Sequence, residues 1–153
     1  MKNLTLALFM VIAIVSCTNN KQTKATTANE NKVQIENSTP QGDVVQVLYF
    51  HGKQRCATCN AIEKETKSLL ESEFSDEMGS KKIDFKVIDI SLPENQAIAD
   101  KYEVASSSLL VNDWKNGSES VENLTEFAFA NARTNPDAFK KELADKINGL
   151  LAN

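Results

Sequence analysis

The hydrophobic positions of this chain change their period along the sequence, and the changes mark out the elements. Residues 44–50 form a continuous apolar, β-branched and aromatic run, which predicts a buried strand. After a short polar turn, apolar residues recur about every four positions, which predicts an amphipathic helix ending at Gly79. The apolar stripe of this helix consists of Ile62, Thr66, Leu69, Leu70, Phe74 and Met78. Glu63 and Lys67 are predicted to pair on its exposed face.

The second half of the chain alternates strand and helix patterns and then ends in helix. Pro93 and Pro136 each stand near the start of a predicted helix, and Asn116-Gly117 predicts a tight hairpin turn. The predicted elements are strand 83–90, helix 94–102, strand 107–112, hairpin arms 109–114 and 119–124, a short helix from Thr125, and a last helix with Phe139, Leu143, Ile147 and Leu151 on one stripe. Strands joined through helices should be parallel, and the hairpin antiparallel. The prediction is an α/β fold with a central mixed sheet of about four strands flanked by helices.

The first 42 residues have a different composition. Residues 1–16 combine a short cationic start with an apolar run of about a dozen residues, too short for a membrane span and typical of a signal peptide. The run ends in Ile14-Val15-Ser16-Cys17, which resembles the lipobox of bacterial lipoproteins. That resemblance implies acylation of Cys17 and a lipid-anchored, periplasm-facing location in the bacterial envelope. An ordinary signal cut elsewhere and an uncleaved anchor are the alternatives.

Residues 17–42 are rich in Asn, Thr, Lys, Gln and Ser, and the strand and helix patterns described above all lie within residues 43–153. So polar a segment buries too little surface to offset its ordering entropy, which predicts a flexible tether before one domain. The net charge of −4 and the lack of a basic run argue against nucleic acid as a partner. No glycine-rich phosphate loop is present, and the sequence predicts no cofactor and no resident metal.

The candidate chemistry lies in Cys56-Ala57-Thr58-Cys59, between the predicted first strand and first helix. A Cys-x-x-Cys pair at such a junction within βαβ elements is typical of a redox dithiol. The first cysteine meets the unpaired N–H groups and positive end of the helix, which stabilise a thiolate. Arg55 and Lys53 are expected to favour that thiolate further.

Other functions for the same cysteines stay open at this point. The pair could form a structural disulfide, or it could bind a metal together with His51, although a closed zinc site usually takes four ligands. His51 itself is either a proton shuttle or a polar residue at a strand end. The serine run at 106–108 either faces the dithiol or is a generic polar connector.

The order of elements with a Cys-x-x-Cys after the first strand resembles the thioredoxin-like fold over residues 43–151. The run Tyr-Phe-His-Gly-x-x-Arg-Cys-Ala-Thr-Cys also resembles small envelope proteins of the ArsF-type nitrophenyl-compound nitroreductase subunit family. The first resemblance implies that Cys56 is the attacking thiolate and Cys59 the resolving thiol, with partner protein thiols and disulfides as substrates.

The chain departs from the thioredoxin pattern at two positions. Tyr49 and Phe50 stand where thioredoxins carry a buried carboxylate that helps deprotonate the resolving cysteine. Ser108 aligns with the cis-proline that faces the dithiol, and Ser107 precedes it. Both serines, with Arg55 and His51, are therefore candidate auxiliary residues. The leading hypothesis is a membrane-tethered thiol–disulfide redox protein; the alternative is a non-catalytic accessory or binding lipoprotein of the same fold.

Overall fold

The structure is a computed structural model that describes residue 40 and residues 42–153. The predicted signal peptide at 1–16, the lipidation site Cys17 and nearly all of the tether at 17–42 lie outside the described residues, so those expectations stay predictions. Among the residues that are described, no helix is long and apolar enough to cross a membrane.

Four strands and five helices follow one another along the described chain. In chain order they are β1 (Val44–His51), α1 (Ala57–Glu73), α2 (Ser75–Gly79), β2 (Ile83–Asp89), a 3₁₀ turn (Pro93–Asn95), α3 (Gln96–Lys101), β3 (Ser108–Lys115), β4 (Ser118–Asn123), α4 (Thr125–Asn131) and α5 (Pro136–Leu151).

The strands form one mixed sheet in the order β2-β1-β3-β4. β1 pairs in parallel with β2, which it reaches through α1 and α2, and it pairs antiparallel with β3 on its other side. β3 and β4 form the predicted antiparallel hairpin. The predicted α/β, thioredoxin-like fold is confirmed by the order of the strands, by their directions and by the helix that follows β1. β1 is central, and its six inner residues are all buried, as its apolar run predicted.

The two faces of the sheet carry separate hydrophobic cores because side chains alternate along each strand. The larger core lies under α1, α4 and α5, and Val47, Tyr49 and Val111 contribute to it from the sheet. The smaller core on the opposite face joins Leu48 and Phe50 to Ile98 of α3.

The predicted stripe of the last helix is largely confirmed. Phe139, Leu143 and Ile147 of α5 are buried in the larger core, whereas Leu151, in the last turn, is only partly buried. The helix begins at Pro136, where a missing N–H costs nothing because the first-turn donors have no intrahelical partner.

A partly buried polar network lies beside the smaller core. Glu119 on β4 accepts hydrogen bonds from the Tyr102 hydroxyl and from Asn112 Nδ2 at 2.9 Å, and it forms an ion pair with Lys101 Nζ at 2.7 Å. Asn112 is completely buried, and its Nδ2 also lies 2.7 Å from the Tyr102 oxygen. Lys101 Nζ lies 4.9 Å from the centroid of the Trp114 ring. The network therefore links the C-terminal end of α3 to the β3–β4 hairpin through hydrogen bonds and an ion pair.

The hairpin turn follows its sequence prediction. Asn116 and Gly117 have φ angles of 52° and 77°, the left-handed conformations that a two-residue type I′ turn requires. Asparagine tolerates this region and glycine favours it, so the residue pair determines the turn.

The single long helix predicted from residue 60 to Gly79 is wrong in one respect. The backbone leaves helical geometry at Phe74, with φ −128° and ψ 25°, and the chain begins a second helix at Ser75. Phe74 remains buried and Met78 still packs against the larger core. Hydrophobic spacing did not reveal the break because both residues keep their places on the apolar stripe.

Candidate active site

The dithiol lies at the carboxyl end of β1, where a short loop leads from the central strand into α1. The structure joins Cys56 and Cys59 in a disulfide, with their Cα atoms 5.0 Å apart. The neighbouring strand β2 ends beside it, since Asp89 pairs in register with His51. The site is thus built at the edge of the sheet where β1 and β2 both end.

Cys56 is the N-cap residue of α1. Its backbone is extended, and its sulfur accepts a hydrogen bond from the Cys59 N–H at 3.0 Å. Cys56 is also exposed to solvent. The first cysteine therefore meets the free N–H groups of the helix as expected, in a position that a partner molecule can reach.

Cys59 lies one turn into α1 and is buried, with 6% of its surface exposed. Its sulfur accepts a hydrogen bond from the Ser107 hydroxyl at 3.7 Å. Ser107 comes immediately before β3, so the structure brings together residues 48 positions apart. Ser107, one member of the serine run, therefore contacts the dithiol.

Ser107 and Ser108 do not play equivalent parts. The Ser108 hydroxyl donates to the Ser106 carbonyl at 3.2 Å, within its own loop. Only Ser107 touches a sulfur atom. The alignment of Ser108 with the thioredoxin proline did not show which of the two hydroxyls reaches the site.

Tyr49 occupies the space behind the dithiol where the sequence indicated that a carboxylate is missing. The side chain is fully buried, and its hydroxyl donates to the backbone carbonyl of Cys59 at 2.7 Å. Burial raises the pKa of the Tyr49 phenol, although Arg55 and Ser107 act in the opposite direction. A tyrosine with a raised pKa stays protonated at neutral pH, so it acts here as a hydrogen-bond donor.

Arg55 is held by a carboxylate on the first helix. Its guanidinium pairs with Glu63, and it lies 5.6 Å from the centroid of the Tyr49 ring. Burial lowers the pKa of Arg55, but the bonds to Glu63 and Tyr49 outweigh it and the net pKa is raised. Glu63 therefore counters part of the positive charge that was expected to favour the Cys56 thiolate.

The predicted pair between Glu63 and Lys67 is not the one that forms. Lys67 pairs instead with Glu71, at 3.7 Å, again at a spacing of four. Arg55 lies before the helix begins, and helical spacing gives no information about a partner outside the helix. Glu63 is thus a site residue that the sequence pattern assigned to the solvent-exposed face.

His51 lies at the end of β1, where its Nδ1 donates to the Gly52 carbonyl at 3.0 Å. On the neighbouring strand, hydrogen bonds from Ser91 lower the pKa of the Asp89 carboxyl, and the charges of His51 and Arg55 add to this effect. The rim of the site therefore contains an ionised carboxylate close to two basic side chains.

A metal site involving the dithiol receives no support from the geometry. Across residue 40 and residues 42–153, no three or more His, Cys, Asp or Glu side chains are grouped so as to hold a metal ion.

Comparison with known proteins gives likenesses of fold to solved structures. No protein-family model and no curated protein matches the chain. A malarial protein shares 22% sequence identity with it, covering 57% of this chain and 93% of its own, with a TM-score of 0.37. Thioredoxin-2, a component of the malaria parasite protein secretion machinery, shares 22% over 57% of this chain and 76% of its own, with a TM-score of 0.41. A thioredoxin from Thermus thermophilus shares 17% over 67% and 72%, with a TM-score of 0.43.

The arrangement supports two-step exchange of disulfides. Cys56 is exposed to a partner molecule, whereas Cys59 is buried. A purely structural disulfide does not require one exposed sulfur at a helix N-terminus. Attack on or by Cys56, followed by closure through Cys59, is the chemistry that this difference in exposure allows.

Proposed function

We propose that this protein is a thiol–disulfide exchange protein that acts on partner protein thiols and disulfides. The observation that carries the proposal is the unequal exposure of the two cysteines, with Cys56 exposed at the helix N-terminus and Cys59 buried one turn into the helix. In the reduced protein, the Cys56 thiolate attacks a partner disulfide and releases one partner thiolate. Cys59 then attacks the Cys56 sulfur, releases the second partner thiolate and leaves the protein oxidised.

Reduction of insulin by dithiothreitol, followed by the turbidity of the released chains, tests the exchange activity of the full chain in detergent. We expect the wild type to accelerate the reaction and Cys56→Ser to abolish the acceleration. Reduced Cys59→Ser, mixed with insulin after dithiothreitol has been removed, should retain the first attack and accumulate a mixed disulfide through Cys56, visible as a shifted band on a non-reducing gel. If the wild type reduces insulin no faster than Cys56→Ser does, the proposal is contradicted. The alternative, a non-catalytic accessory protein of the same fold, then remains.

The direction of electron flow follows from the reduction potential of the Cys56–Cys59 couple. Equilibration with glutathione mixtures of known ratio, read by alkylation of free thiols, measures it directly. A value near that of cytosolic thioredoxins, about −270 mV, indicates a reductant, and a value near −120 mV indicates an oxidant.

We also propose that the protein is a lipoprotein of the bacterial envelope, anchored through Cys17 and facing the periplasm. Its support is the apolar leader that ends in Ile14-Val15-Ser16-Cys17, and the resemblance of the motif around Cys56 to small envelope proteins of the ArsF-type family. An oxidising compartment also permits the disulfide. Metabolic labelling with palmitate tests the anchor: wild type should incorporate the label and sediment with membranes, and Cys17→Ser should do neither.

A further inference from the structure

The second step of the proposed exchange sets a chemical problem at Cys59. Its thiol must lose a proton before its sulfur can attack Cys56 in the mixed disulfide. Burial disfavours the thiolate, because the charge leaves water for a medium of low dielectric constant. Some neighbouring group must therefore stabilise the negative sulfur.

Two polar side chains near the dithiol make hydrogen bonds to groups other than the sulfur atoms. The single proton of the Tyr49 hydroxyl is donated to the Cys59 carbonyl at 2.7 Å, and burial keeps that hydroxyl protonated, so Tyr49 does not act as a base. The Arg55 guanidinium is paired with Glu63. Neither contact is made to the sulfur itself.

Another polar side chain near the dithiol, Ser107, does contact the sulfur of Cys59. Its hydroxyl lies 3.7 Å from Cys59 Sγ with the geometry of a hydrogen-bond donor, and the serine is held at the start of β3 by the strand that follows it. Hydrogen bonds to a charged form favour that form. When the acceptor becomes a thiolate, the bond becomes charge-assisted and therefore stronger.

We propose that Ser107 is the positioning residue for the resolving step, its hydroxyl stabilising the Cys59 thiolate by a hydrogen bond to the sulfur. This inference rests on the proposed function. In the step itself, the proton of Cys59 passes to water and its thiolate attacks the Cys56 sulfur. The bond between Cys56 and the partner breaks, and the partner leaves as a thiolate, so that the protein is oxidised and the partner reduced.

Reaction of the fully reduced chain with Ellman's disulfide separates the two steps, since each releases one coloured thiolate. The first release reports the attack by Cys56, and the second reports closure by Cys59. We expect Ser107→Ala to slow the second release by about threefold to tenfold, the effect of one hydrogen bond, and to leave the first unchanged. Ser107→Thr keeps a hydroxyl and should restore the second release. Ser106→Ala removes an exposed hydroxyl from the same loop and should behave as wild type.

A second measurement is needed if Cys59 attacks Cys56 so quickly that the two releases cannot be resolved in time. In a chain that carries both Cys17→Ser and Cys56→Ala, the thiolate absorbance at 240 nm follows the titration of Cys59 alone. Ser107→Ala should shift that titration to higher pH, and Ser106→Ala should not, whereas a merely structural role of Ser107 would leave it in place.

The outcomes distinguish this inference from the function on which it rests. No first release in the wild type overturns the exchange function and the inference with it. Suppose instead that the first release is normal, and that wild type and Ser107→Ala have the same rate of second release and the same Cys59 titration. That result overturns the role of Ser107 but leaves the exchange function in place.

Discussion

Replacing Glu119 by glutamine tests how much the polar network between α3 and the hairpin contributes to stability. The Glu119 side chain is only 16% exposed, and three groups converge on its carboxylate: the Tyr102 hydroxyl, Asn112 Nδ2 and Lys101 Nζ. Glutamine keeps the shape and one acceptor oxygen, so the change removes the charge and little else.

The expected loss of stability can be worked out from the interaction that each partner of Glu119 loses. Lys101 is 46% exposed, so solvent screens its ion pair, which contributes about 0.5–1 kcal/mol. The bonds from Tyr102 and Asn112 become neutral, and each loses about 1 kcal/mol. Because these terms share one acceptor they do not add fully, and we expect Glu119→Gln to lower the free energy of unfolding by about 2 kcal/mol.

Urea unfolding followed by tryptophan fluorescence measures this change, because Trp114 lies beside the network. The matched control is Glu122→Gln on the same strand, whose carboxylate pairs with Lys146 where both side chains are well exposed. We expect the control to match the wild type. Equal stability of Glu119→Gln and wild type, or equal losses in both variants, would refute the reasoning.

The same network sets an alkaline limit to stability. Burial lowers the pKa of Lys101, but its bonds to Glu119 and Tyr102 raise the net value above 10.5, and burial together with Glu119 raises the pKa of Tyr102 above 10.0. In both cases the unfolded chain loses its proton first as pH rises. The stabilisation is therefore complete below about pH 10 and is lost as pH rises through the folded pKa values. Urea unfolding between pH 8 and 11 should show the free energy of unfolding of the wild type falling with pH. The difference in this free energy between wild type and Glu119→Gln should become smaller over the same range.

Three further substitutions test the site and the core. Glu63→Gln frees the charge of Arg55, so we expect the pKa of Cys56 to fall and its alkylation by iodoacetamide below neutral pH to speed up; an unchanged pH profile contradicts this role. Phe139→Ala opens a cavity in the larger core and should cost about 3–5 kcal/mol in urea unfolding, and a loss under 1 kcal/mol would mean that α5 is not packed as described. Gly117→Ala places a side chain at positive φ and should cost about 1 kcal/mol in the same assay, whereas an unchanged midpoint would speak against the type I′ turn.

The sequence predicts the fold well because local signals and the global arrangement agree. The uninterrupted apolar run of β1 reflects burial on both faces, and Asn116-Gly117 has the residues that its turn requires. The helix break at Phe74 escapes the same reasoning, because a period of four describes which side chains are buried and not where the backbone changes direction.

The candidate site was only partly predictable, for a related reason. The positions of Cys56 and Cys59 follow from the junction of β1 and α1, which is local in sequence. The contact between Cys59 and Ser107 spans 48 residues, and the pairing of Arg55 with Glu63 crosses a helix boundary. Neither has a period or spacing that could reveal it, so these parts of the site appear only when the sheet brings the chain together.

The placement of β1 has a consequence for how the molecule presents its chemistry. The chain enters the sheet at Val44 and travels eight residues along the central strand before the dithiol, a distance of about 25 Å. The residue that enters the sheet and the reactive Cys56 therefore lie beyond opposite ends of β1. A molecule that approaches Cys56 thus meets the end of the central strand opposite to the one at which the chain enters the sheet.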